Sequence, residues 1–96
     1  MITFAIYCDA TPGQEAELDR LLTGPVKTFW LKQSGVNEFR ILRDKLVGYP
    51  ERSIRIDVKD FATLQKVLDS PQWGEHRQTM MSLVSRVQSQ ILEPVS

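Results

Sequence analysis

Hydrophobic and polar residues alternate through ITFAIYC (residues 2–8), with Ile2, Phe4, Ile6 and Cys8 on one side and Thr3, Ala5 and Tyr7 on the other. That period of two predicts a strand. DATPG then stops it, and Thr11, Pro12 and Gln14 predict a helix start: a capping hydroxyl, a proline with no amide to leave unsatisfied, and a capping-box partner. Leu18, Leu21 and Leu22 supply the apolar face of that helix. Gly24-Pro25 is expected to interrupt it, and Val26, Phe29 and Trp30 recur at helical spacing in a short second piece that ends near Ser34-Gly35.

VNEFRILRD (36–44) and RSIRIDV (52–58) both read as strands, joined through Gly48-Tyr49-Pro50 as an antiparallel hairpin. Asp60 is placed to cap FATLQKVLDS, in which Phe61, Leu64 and Leu68 share a face with Val67 beside them. Ser70-Pro71 closes that helix and opens the next. There Trp73, Arg77, Met80 and Val84 fall in one narrow arc, bordered by His76 and Leu83, and RVQSQILEPV supplies a last strand ending at Pro94.

Strand, helix, strand, strand, helix, strand is the split β-α-β order of the ferredoxin-like α+β domain, with helices on one face of a four-stranded antiparallel sheet. Phe4, Ile6, Phe39, Ile41, Ile54, Ile56 and Val58 are then expected to face the helices. Tyr7, Glu38, Arg40, Leu42, Arg55 and Asp57 fall on the other side, a mixed face suited to solvent, a second copy or a ligand chamber.

A chain of 96 residues suits one domain spanning 1–96, and its modest core would gain from self-association. Twelve basic side chains balance 12 acidic ones, which gives no electrostatic reason to expect nucleic acid or an acidic membrane as partner. Cys8 is the one cysteine, so no intrachain disulfide can form; a buried small residue in a reducing, cytoplasmic setting is the expectation. No stretch approaches the roughly 20 apolar residues of a membrane span.

Among polar candidates, His76 can exchange a proton near neutral pH or can simply edge an apolar stripe. Arg40 and Arg55 on neighbouring strands could bind an anionic or phenolate substrate, or could pair with Glu38 and Asp57. Tyr7 offers a further hydrogen bond. Trp73 reads as an apolar anchor over the sheet, and Phe29 and Trp30 either pack or stack on an aromatic ligand. One His and one Cys, distant in sequence, make no metal site, and neither a glycine-rich phosphate loop nor a nucleophile elbow is present.

The first strand running into TPGQEAELDRLL, the hairpin from Gly35 to Val58 and the run VKDFATLQKVLDSPQWGEHRQTM together resemble the dimeric α/β barrel superfamily, and within it the antibiotic biosynthesis monooxygenase (ABM) domain. The resemblance implies a homodimer in which two sheets close a barrel around the mixed face. It also implies either a monooxygenase needing no cofactor, acting on an aromatic or quinol-like molecule, or a non-catalytic barrel that binds a small ligand or serves as an interaction module. In the first case His76, Arg40 and Tyr7 are the expected catalytic groups, and Arg55, Trp30 and Trp73 the expected substrate contacts. The haem-degrading branch of the superfamily implies an Asn, a Trp and a His at positions that fall here near Tyr7 or Cys8, at Val67 and at His76. Only the histidine is matched.

Overall fold

The computed structural model describes residues 1–96. Strand β1 (Ile2–Ala10) leads into α1 (Glu15–Leu21), a π-helical turn (Leu22–Val26) and α2 (Lys27–Leu31). The hairpin strands β2 (Val36–Arg43) and β3 (Arg52–Val58) follow, then α3 (Phe61–Leu68), α4 (Pro71–Met81) and β4 (Val84–Leu92). The strands form one antiparallel sheet in the order β2-β3-β1-β4. This is the α+β, ferredoxin-like arrangement that the pattern predicts.

The strands exist because alternation lets each bury one face. Phe4 lies level with Ile56 and Phe39, and Ile6 level with Ile54 and Ile41, so successive rows of apolar side chains on β1, β3 and β2 meet the helices. Leu18, Leu22, Val26, Trp30, Leu64, Val67, Trp73 and Met80 complete that core from the helix side. The slab is thin, 36 by 32 by 17 Å, because the sheet carries helices on one face only.

Helix starts follow local chemistry in two of three predicted places. Asp60 accepts from the Thr63 amide at 2.8 Å, and Ser70 caps α4 through the Trp73 amide at 3.2 Å with Pro71 just inside. The Thr11 cap does not form. The Thr11 carbonyl instead accepts from the Gln14 amide at 2.8 Å, in a turn where Gly13 has φ +84°, and α1 begins only at Glu15. A glycine at positive φ after proline fits a type II turn, which uses up the residues a capping box would need.

Gly24-Pro25 does not end the helix. Pro25 has no amide to give and its ring crowds the preceding turn; widening that turn to π geometry relieves the clash and keeps the chain helical. Leu22, Val26, Phe29 and Trp30 consequently bury together. Phe61 is a further correction, being 53% exposed at the first position of α3, where the helix has not yet come over the sheet. Val84 belongs to β4 and not to the α4 arc: the Leu83 amide turns back to Met80, and the Leu83 carbonyl accepts from Thr11, so the chain is already entering the sheet.

Candidate functional site: a cleft beneath α4

The helix layer leaves one edge of the sheet uncovered. α4 ends at Met81, and the residues of β4 that face it near its middle are Val87 and Ser89, which are too small to fill the gap. The result is an open-sided cleft of about 460 Å³, floored by Phe4 and Ile6, walled by Trp73 and Met80 of α4, and bordered on the far side by the half-buried Val87 and the exposed Ser89. Volumes of this order hold a drug-sized molecule, and such sites are typically apolar with a few polar groups that set orientation. Arg77 is the only charged side chain in the lining.

Trp73 is fixed before any ligand arrives. Its ring lies edge-on to Trp30 at 5.1 Å and stacks on Phe29 at 6.3 Å, and Trp30 in turn contacts Phe4 at 5.9 Å between centroids. Aromatic pairs in these geometries hold one another more firmly than area alone explains. A rigid indole wall suits a flat guest. One turn on, Arg77 remains exposed while Trp73 and Met80 are buried, so its guanidinium stands at the mouth of the cleft.

The expected site residues do not form one constellation. Tyr7 and Arg55 do meet, with Arg55 Nη2 donating to the Tyr7 hydroxyl at 3.3 Å and the guanidinium carbon 5.8 Å from the Tyr7 ring centre. Arg40 lies directly across from Arg55 in the β2–β3 register. All three stand on the face of the sheet that has no helices. Trp30 and Trp73 are on the other side; Trp30 is wholly buried, and Trp73 alone of the pair lines the cleft. His76 lines a separate, more open groove of about 450 Å³ between α2 and α4, its ring 5.3 Å from Phe29, among Thr28, Lys32, Gln33 and Glu75.

Arg77 is the group that sequence reasoning passed over. Its signal was an arginine within the arc of Trp73 and Met80, where a charge must reach either solvent or a cavity. The haem-branch positions do not converge either: Tyr7 is on the open face, Cys8 and Val67 are packed in the core, and His76 opens onto its own groove. No three His, Cys, Asp or Glu side chains gather as a metal site, and no helix is long and apolar enough to cross a membrane.

At the far end of the open face, the β2–β3 loop folds back onto β1. Tyr49 donates to the Tyr7 carbonyl at 3.2 Å, the Glu51 amide to Asp9 at 3.0 Å, and the Ala10 amide to the Glu51 carboxylate at 2.9 Å. Arg86 pairs with the buried Asp9 carboxylate and lies 5.0 Å from the Tyr49 ring centre. A bulge makes that pairing possible: the β1–β4 register shifts between Tyr7 and Asp9, and Arg86 takes φ +51°.

No family model matches the chain, and no curated protein matches it either. Solved structures do. A variant of SnoaB, a cofactor-independent oxygenase from Streptomyces nogalater, superimposes with a TM-score of 0.84 at 16% identity over 99% of this chain and 93% of that one. A candidate antibiotic biosynthesis monooxygenase from Deinococcus radiodurans gives 0.85 at 15% identity over 100% and 94% of the two chains. A protein from Arabidopsis thaliana gives 0.85 at 13% identity over 100% and 97%. The chain therefore has the fold of the ABM domain over its whole length.

Proposed function

We propose that this protein binds a flat, anionic hydroxy-aromatic molecule in the cleft beneath α4 and promotes its reaction with dioxygen, working as a homodimer joined through the open sheet face. The observation that carries this reading is the cleft itself: an apolar slot with a rigid tryptophan wall and one cation at its mouth. The shared fold with a cofactor-independent oxygenase supports the reaction class.

Such chemistry draws its electrons from the substrate. When an anthrone is oxidised, its ring methylene becomes a carbonyl, and dioxygen supplies both the oxygen inserted and the oxygen that leaves as water. The protein's share is to hold the phenolate or enolate form and keep bulk water from it. Arg77 suits the first task, because a guanidinium favours an anion most strongly where water is partly excluded. Phe4, Ile6, Trp73, Met80 and Val87 suit the second.

In this reading His76, Arg40 and Tyr7 are not the catalytic set, because neither His76 nor the two open-face groups line the cleft. A second reading, ligand binding without turnover, is favoured by one observation: the cleft holds no group that takes up a proton near neutral pH. Oxygen uptake in air with a panel of anthrones and hydroxynaphthoquinols separates the two. The oxygenase reading expects saturable uptake that falls at least about tenfold in Arg77→Ala. Quenching of tryptophan fluorescence without uptake would establish the binding-only reading, and neither signal would overturn both.

A further inference from the structure

On the open face, like charges sit opposite one another in two neighbouring rows. Glu38 of β2 lies level with Asp57 of β3, and one step along the same strands Arg40 lies level with Arg55. Like charges directly opposite on adjacent strands destabilise a sheet, so within one chain each row is unfavourable. Internal pairing relieves this little. Arg40 reaches Glu38 only at 3.6 Å, with both side chains more than half exposed. Asp57 accepts from the Thr3 hydroxyl at 2.7 Å and Arg55 turns to Tyr7, so both lean toward β1 and neither pairs with the other.

We propose that the two rows are the register code for a second copy of this chain: the acidic row Glu38/Asp57 of one protomer lies over the basic row Arg40/Arg55 of its partner, and the reverse. The inference rests on the homodimer reading above and deepens it. A two-fold axis between the sheets, running across the strands midway between the rows, exchanges the rows and brings opposite charges together twice. An axis running along the strands sets acid over acid and base over base.

Isologous contacts have this reciprocity, in which one residue meets a second and the second meets the first. The rows are roughly 7 Å apart along the strands, and packed sheets lie about 10 Å apart, within reach of facing Arg and Glu or Asp side chains. Leu42, 43% exposed, and Leu92, 36% exposed, flank the rows and supply apolar contact. The 36 by 32 Å face is broad enough for the roughly 800 Å² per partner that a stable interface buries. Opposed charge rows of this kind choose register and exclude wrong partners more than they add affinity.

Sedimentation equilibrium on three variants tests the proposal. Glu38→Lys/Asp57→Lys and Arg40→Glu/Arg55→Glu each place like charge over like charge twice, and each is expected to raise the dimer dissociation constant at least about a hundredfold. The four-site variant, with acids and bases exchanged, restores opposite pairing and is expected to return within about tenfold of the parent. Circular dichroism at the same concentrations checks that each variant is folded, and weakening of the parent dimer in about 1 M salt is an independent readout that needs no substitution. Both two-site variants dimerising as the parent does, or a folded four-site variant as weak as they are, would overturn the charge code. A parent chain that is monomeric at micromolar concentration would overturn the homodimer reading beneath it.

Discussion

Arg52 grips both carboxylate oxygens of Asp19, Nε to Oδ1 at 2.8 Å and Nη2 to Oδ2 at 2.9 Å, and ties the start of β3 to the middle of α1. The guanidinium is almost buried while the carboxylate is 42% exposed. The hydrogen bonds from Arg52 hold the Asp19 carboxyl below its ordinary value of 3.8. The proton therefore binds more tightly in the unfolded chain. The stability from this pair is complete above that ordinary value and is lost as pH falls through the lower folded one. Urea midpoints from pH 7 down to pH 3 should fall in the parent more steeply than in Asp19→Asn. At pH 7 Asp19→Ala should cost about 2 kcal/mol, because it strands a buried cation whose lost partner was itself partly solvated.

Trp30 fills the centre of the core, yet its indole nitrogen has no hydrogen-bond partner. Trp30→Ala should cost about 4 kcal/mol through the cavity it leaves. Trp30→Phe should cost only about 1 kcal/mol, since losing an unpartnered buried N–H offsets part of the lost volume. Denaturant titration of the two variants gives both numbers.

Gly35 joins α2 to β2 at φ +86°, and a Cβ there would stand 2.8 Å from Thr63 Cγ2. Its carbonyl accepts from the Lys59 amide at 2.9 Å, so the two segments cannot easily part. Gly35→Ala should lower stability by about 2 kcal/mol, from left-handed strain and this close approach together. Thermal melts check it. Gly35→Ala/Thr63→Ser, which removes the crowding methyl, should recover only the contact's share.

Cys8 is fully buried at the end of β1, and burial, with the neighbouring Asp9 charge adding to it, pushes its thiol up to about 11. At pH 8 only about one thiol in a thousand is then ionised. A disulfide reagent should label the folded protein slowly, at the rate of local opening, and should label it within seconds in denaturant. Rapid labelling of the folded chain would mean that this end of the sheet is open.

The strands, the hairpin, the helix order and two caps were legible because each is a local pattern: alternation in ITFAIYC and RSIRIDV, and Asp60 and Ser70 before their helices. What escaped depended on geometry that no local window contains. Thr11 reads as a cap until the turn at Gly13 consumes it, and Gly24-Pro25 reads as a break because a π-helical turn has no clear sequence signature. The Asp9 to Arg86 pairing spans the chain and needs the β4 bulge. The site was harder still. Periodicity gave Tyr7, Arg55 and Arg40 a common face and put Trp73 over the sheet. Nothing in it told that the gap beside Val87 and Ser89 would be the cleft, or that Arg77 would stand at its mouth while His76 turned away.

The cleft is tested most directly by isothermal titration of an ionised hydroxynaphthoquinone into the parent and into Ser89→Phe, whose new ring would occupy the space opposite Trp73. The predicted result is one saturable site per chain in the parent, weakened at least about tenfold in Ser89→Phe and unchanged in His76→Ala, which lies outside the cleft. Equal affinity in parent and Ser89→Phe would contradict the assignment, and binding lost instead in His76→Ala would move the ligand to the groove between α2 and α4.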